Sequence, residues 1–244
     1  MNHRETAQAL KKAMEFYGGL GFRYLPISEK KVSELLMNTA ADDAPVDSGT
    51  EETIVSEADK DRALQELREE IGDCQRCKLC RGRTNIVFGE GSSHARLMFI
   101  GEGPGRDEDL QARPFVGEAG KLLTRLIEKM GMKREEVYIA NIVKCRPPNN
   151  RDPEEDEISS CRPFVERQAQ IISPDVIMSL GRVSAQSILG MKMPIGKLRG
   201  NFFSFNDIPL MPTYHPAYLL RNPKDKWLVW ADAQKALSKL KNRG

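Results

Sequence analysis

From residue 96 onward the chain alternates short apolar runs with amphipathic segments of helical period, a pattern that few folds can satisfy. Residues 96–100 (RLMFI) stop at Gly101, residues 137–143 are rich in β-branched and aromatic side chains, and residues 175–180 stop at Gly181. Between them, residues 117–130 place Leu122, Leu123, Leu126 and Ile127 on one helical face, and residues 154–172, opened by Pro153, repeat the pattern. Residues 182–189 read as a short helix ending at Gly190, residues 202–205 and 208–211 as strands, and residues 226–240 as a final helix. Strands that alternate with helices form a parallel sheet covered on both faces. The expected fold is therefore α/β, with a central parallel sheet of about four strands flanked by helices. Ligands are expected where loops leave the carboxyl ends of the strands.

The first third of the chain follows another logic. Residues 4–16 read as a short amphipathic helix stopped by Gly18 and Gly19, and residues 38–56 are acidic, small and nearly free of large apolar residues, as a flexible linker is. A charged helix is expected over residues 57–71. We therefore expect an acidic extension over residues 1–56 and an α/β domain over residues 57–244. Residues 1–70 carry 15 acidic against 9 basic side chains, so the remainder is net basic although the whole chain is only +2. A basic domain permits a polyanionic partner without requiring one. No run of 18 apolar residues and no signal-like leader is present, so a cytoplasmic protein without membrane attachment is expected.

Five cysteines, Cys74, Cys77, Cys80, Cys145 and Cys161, are an odd count that argues for metal ligation or free thiols over a disulfide framework. Cys74 and Cys77 form a C-x2-C pair, and Cys145 and Cys161 stand far apart across a loop containing Pro147 and Pro148. Four thiolates suit a four-iron four-sulfur cluster or a four-cysteine zinc site, and the long second spacing favours the cluster. Cys80 is either a spare thiol or an alternative ligand.

Three loops at expected strand ends carry unusual residues. Gly101, Glu102, Gly103, Pro104 and Gly105 open the first, followed by Asp107, Glu108 and Asp109; the spacing matches neither the phosphate loop nor the dinucleotide fingerprint. Such a loop is either a tight turn or a place where backbone closely approaches a ligand. Phe115 follows it, as core or as platform. In the second loop Asn141 lies inside an apolar run, where its amide either caps a turn or reads the edge of a base. In the third, His215 precedes Pro216, which holds its backbone extended.

Taken in order, GEGPG, RPFVG, NIVKCRPP, the later cysteine and HPAYLLRNP resemble the family 4 uracil-DNA glycosylases, the thermostable iron–sulfur type, from about Cys74 to the end of the chain. The resemblance implies a DNA repair hydrolase that flips uracil out of single- or double-stranded DNA and leaves an abasic site. It implies a 4Fe–4S cluster on Cys74, Cys77, Cys145 and Cys161, with Cys80 outside the pattern. Phe115 would stack on uracil, Asn141 would read its edge, and the stretch Gly101, Glu102 and Gly103 would line the pocket. His215 would bond the departing base, Leu219 would wedge the duplex, and Arg221 would meet phosphates. Better-known relatives carry an Asp where Gly103 stands, which leaves Glu102, Asp107 and Glu108 as candidates to position water. Competing readings are a noncatalytic iron–sulfur or zinc module that binds nucleic acid, and a glycosylase of broader deaminated-base specificity. A monomer is expected, with a protein partner for the acidic extension.

Overall fold

A computed structural model describes residues 57–241. The expectations for residues 4–16 and 38–56 lie outside the described residues. The first helix, α1 (Glu57–Ile71), buries Leu67 and Ile71 against a later helix, α4 (Glu155–Ile172), in the same apolar cluster as Val165 and Ile172. Polar ties reinforce that contact. Lys60 Nζ donates to the Ile172 carbonyl at 2.8 Å, and Arg167 pairs with Glu70.

Six strands make one sheet: β1 (Glu90–Gly91), β2 (Leu97–Gly101), β3 (Tyr138–Asn141), β4 (Val176–Leu180), β5 (Phe203–Phe205) and β6 (Ile208–Thr213). Their order across the sheet is β1-β3-β2-β4-β6-β5. The inner four, β3, β2, β4 and β6, are parallel, as expected from the alternation of strand and helix. Every residue of β2 and β4 is buried, which is why these strands read as continuous apolar runs.

The two edges depart from the expectation of a four-stranded sheet, because β1 and β5 pair antiparallel with β3 and β6. For β5 the cause is the Asn206–Asp207 turn, where both residues have positive φ (49° and 64°) and return the chain as a tight hairpin. For β1 it is Gly91, where an added Cβ would lie 1.8 Å from the Val137 carbonyl oxygen. Only glycine lets the strands come so close. The apolar run at residues 137–143 is likewise strand only as far as Asn141 and then turns.

Side-chain alternation sorts the core into two layers. Met98, Ile100 and Ile177 face α1 and α4, whereas Leu97, Phe99 and Met178 face α3 (Glu118–Lys129) and the last helix, α8 (Lys226–Lys241). Each fully buried side chain of this size contributes about 1.5–3 kcal/mol relative to its exposed state. A buried carboxylate fixes α8 in place: Asp232 accepts from Thr213 Oγ1 at 2.6 Å and from Arg199 Nη2 at 2.5 Å. Short helices α2 (Arg106–Gln111), α5 (Arg182–Leu189), α6 (Ile195–Leu198) and α7 (Pro216–Arg221) complete the domain, and α2, α6 and α7 are too brief to show helical periodicity in sequence. No helix among the described residues is long and apolar enough to cross a membrane.

Candidate active site

The carboxyl ends of β2, β3 and β6 open into one broad cleft of about 1410 Å³, including solvent at its mouth. Glu102, Gly103, Phe115, Asn141, His215 and Arg221 all line it. These residues span 120 positions of sequence and meet because parallel strands deliver their ends to one edge.

At the floor lies Asn141, the last residue of β3 and 1% exposed. Its Oδ1 is buried with no hydrogen-bond partner, an uncommon state for a polar atom and one that costs about 1–3 kcal/mol. Its backbone is held by Lys144, itself 2% exposed, whose Nζ donates to the Asn141 carbonyl at 2.9 Å and to Gln168 Oε1 at 2.6 Å. Sequence reasoning missed Lys144. A lysine inside the apolar run IVKC was the available signal.

Phe115 and Gly101 shape the space around that amide. A Cβ on Gly101 would fall 2.4 Å from Asn141 Oδ1 and 2.5 Å from the Phe115 ring, so glycine there permits both side chains to occupy the floor. Phe115 adopts φ of +52°, a strained value for a bulky residue. The strain is accommodated by Gly120, where a Cβ would overlap the Phe115 carbonyl oxygen at 1.9 Å.

His215 caps the N-terminus of α7, its Nδ1 accepting from the Ala217 N–H at 3.1 Å. With Nδ1 an acceptor, the neutral ring carries its proton on Nε2. Burial against the cleft wall and the nearby Arg221 cation lower its pKa to about 4, against an opposing pull from Glu108. The ring lies 5.6 Å from that of Phe115, centroid to centroid. The site thus presents a neutral N–H donor, an aromatic face and an unsatisfied amide oxygen together.

The acids of the first loop divide by role. Glu108 is consumed by the fold, since Oε1 accepts from the Val116 and Gly117 amides and Oε2 from the Gly105 amide. Asp109 is buried and accepts from the Thr84 and Asn85 amides. Glu102 makes no such bonds. Its pKa rises to about 7, chiefly through burial and then through the Asp152 carboxylate, with Arg182 opposing. Asp152 and Arg182 form an ion pair beside it, and neither was singled out in sequence.

One expectation needs correction. Leu219 is 4% exposed and points into an apolar pocket with Leu123, Leu180 and Val229, so it has no free side chain with which to enter a duplex. The exposed leucine of α7 is Leu220, because consecutive residues of a helix face directions about 100° apart. Arg221 is exposed at the rim.

A second, smaller pocket is lined by Cys74, Cys77, Cys145 and Cys161, all free thiols, and Cys80 does not reach it. Cys161 Sγ accepts from the Lys144 amide at 3.2 Å, and Arg83 and Arg76 approach Cys145 and Cys74 at 3.5 and 3.4 Å. Among the described residues no three His, Cys, Asp or Glu side chains close on a point that would hold a single metal ion. Four thiols on one pocket are a donor set whose chemistry fits an iron–sulfur cluster.

Residues 88–237 match the model of the uracil DNA glycosylase superfamily. The chain is 50% identical over 189 residues to the type-4 uracil-DNA glycosylase of Saccharolobus solfataricus, covering 74% of this chain and 88% of that protein. It is 44% identical over 189 residues to the type-4 enzyme of Thermotoga maritima, covering 76% and 98%. Identity to the type-5 uracil-DNA glycosylase of Thermus thermophilus is 29% over 119 residues, covering 42% and 53%. With the superfamily model matched over residues 88–237 and identities of 44–50% over about three quarters of the chain, the protein belongs to the uracil DNA glycosylase superfamily and, within it, to the type-4 family.

Proposed function

We propose that this chain hydrolyses the N-glycosidic bond of uracil in DNA, releasing the base and leaving an abasic site. The observation that carries the reading is the orphaned Asn141 Oδ1 at the floor of a cleft that also holds Phe115 and the Nε2–H of His215. Uracil N3–H is the donor that oxygen lacks, and the same amide's NH₂ offers a bond to O4. A base inside a duplex cannot reach the floor, so it is flipped out at a cost of a few kcal/mol, offset by stacking on Phe115 and by these bonds. As the bond from N1 to C1′ breaks, negative charge gathers on uracil and positive charge on the sugar. His215 donates from Nε2 to O2, an interaction that strengthens with the developing charge and so favours the transition state over the substrate. A water adds to C1′ and its proton passes to Glu102, which like Asp107 is a cleft acid free of structural hydrogen bonds and is the more buried of the two. The decisive assay incubates a uracil-containing oligonucleotide with the protein and then with alkali. Strand cleavage at uracil is expected, and intact strands would reject the reading.

A carboxylate base acts only when deprotonated. With the Glu102 pKa at about 7, the excision rate should climb as pH rises through that value and level off above it. Glu102→Gln should remove the inflection and lower the plateau by about 10²–10⁴-fold. A Gln variant with the parent's pH profile would assign the proton to another group. The same shift acts on stability: the folded chain keeps a proton that the unfolded chain loses between about 4.5 and 7, so this group's contribution falls as pH rises through that window.

The four-thiol pocket supports a 4Fe–4S cluster held by Cys74, Cys77, Cys145 and Cys161. When bound, such a cluster ties together the segment after α1, the turn after β3 and helix α4. Purified protein should be brown and contain iron and acid-labile sulfide. Cys→Ala at any of the four positions should bleach it and lower its melting temperature, whereas Cys80→Ala should keep both colour and stability. Bleaching by Cys80→Ala alone would reassign the ligands.

A further inference from the structure

Residues 220–227, which run from the end of α7 through a short turn into α8, form a largely exposed ledge that begins at the cleft rim, where Arg221 lines the cleft. We propose that this ledge docks single-stranded DNA, with Trp227 as the platform on which an unpaired base beside the flipped uracil stacks. The proposal deepens the glycosylase reading and rests on it. Four large apolar side chains are exposed among the described residues, and two of them, Leu220 at 43% and Trp227 at 66%, fall within this ledge. Exposure is not general to α8: one turn on, Trp230 packs against the core with Lys129 Nζ 4.3 Å above its ring. An indole left in water forfeits burial that packing elsewhere would supply.

The surroundings select the ligand. Arg221, Lys224 and Lys226 are exposed within the same eight residues, and Arg221 also lines the cleft, so the stretch that carries the indole carries three cations and reaches the reaction site at one end. The one acid there, Asp225, is engaged by the Tyr218 hydroxyl at 2.6 Å. Cations for phosphates beside an aromatic face for bases are what an unpaired strand requires. The ledge is also stiff. Asn222 donates from both its backbone and its side chain to the Tyr218 carbonyl, at 2.9 and 3.0 Å, and the Tyr218 ring stacks on Tyr214 at 4.7 Å. Binding to a preorganised surface loses little conformational entropy. Duplex bases are already stacked on one another, so the indole's contribution is confined to single strands.

The test uses full-length protein with its cluster. In a Trp230→Phe background Trp227 is the remaining tryptophan of the two in the chain, and its emission should be quenched by a single-stranded oligothymidylate, much less by a duplex. Trp227→Ala in the parent chain should weaken single-strand binding, read by anisotropy of labelled oligothymidylate, by about 5- to 150-fold. Duplex affinity should change less than about twofold, since its phosphate contacts remain. Unquenched emission, or Trp227→Ala binding single strands as tightly as the parent, would overturn the proposal. Protein that quenches and binds but releases no uracil would lose the glycosylase reading; protein that releases uracil with Trp227 unquenched would lose the ledge alone.

Discussion

Replacing His215 by Ala should slow single-turnover uracil release by about 10²–10³-fold while leaving DNA affinity nearly unchanged. The geometry separates the two roles of this side chain. Nδ1 is committed to the α7 cap through Ala217, and Nε2 is the atom left to meet a base. Losing the cap costs about 0.5–2 kcal/mol of stability, far short of unfolding a domain. Losing the Nε2 donor removes an interaction that grows with charge on the leaving base. His215→Asn provides the control, since Asn can cap a helix but does not reproduce an imidazole Nε2–H; melting temperature should recover while rate does not. Parallel losses of rate, affinity and stability would identify a structural histidine. Because the pKa is lowered to about 4, the ring stays neutral above that value, and no loss of rate from its protonation is expected between pH 8 and 5. Its contribution to stability has a definite sign. The unfolded chain takes up a proton near pH 6.5 that the folded chain refuses until about pH 4, so the contribution falls as pH drops through that interval.

Asn141→Asp should reduce uracil excision by about 10- to 150-fold or more, the discrimination carried by a bidentate contact to a base edge, and should open a measurable release of cytosine. Uracil presents a donor at N3 and an acceptor at O4, and cytosine presents the reverse. The Asn141 amide matches the first pattern only. A carboxylate has no donor for O4, and in its protonated form it can match the cytosine edge. The site is 1% exposed, so desolvation raises the pKa of a carboxylate there and favours that protonated form. Release of uracil and cytosine from matched oligonucleotides, with melting temperature measured alongside, checks the prediction. Unchanged uracil release would remove Asn141 from the pocket.

Sequence alone went far where the physics is local. Apolar runs of strand length separated by helical periods dictate a parallel sheet, because buried strands need covering on both faces and right-handed crossovers supply it. The order of the sequence features also placed Gly101, Asn141 and His215 after strands, hence on the same edge. Short or glycine-dependent elements escaped. The β1 pairing depends on how closely Gly91 approaches Val137, and the β5 hairpin on two positive φ angles at Asn206 and Asp207. Neither leaves a periodic trace.

What tertiary structure decided is which groups remain free. In sequence Glu102, Asp107, Glu108 and Asp109 are equivalent carboxylates near glycines, yet backbone amides brought in from Val116, Gly117, Thr84 and Asn85 occupy Glu108 and Asp109, Asp107 lies exposed, and Glu102 is left half-buried and unbonded. Leu219 and Leu220 are adjacent identical residues, and only the packing of α7 buries the first and exposes the second. The five cysteines are likewise indistinguishable until the chain folds and four of them face one pocket. The amino-acid sequence determines which chemical groups the chain possesses and the period with which they recur. Which of them are satisfied, and which are left to meet a substrate, depends on partners many residues away, and those become neighbours only when the sheet assembles.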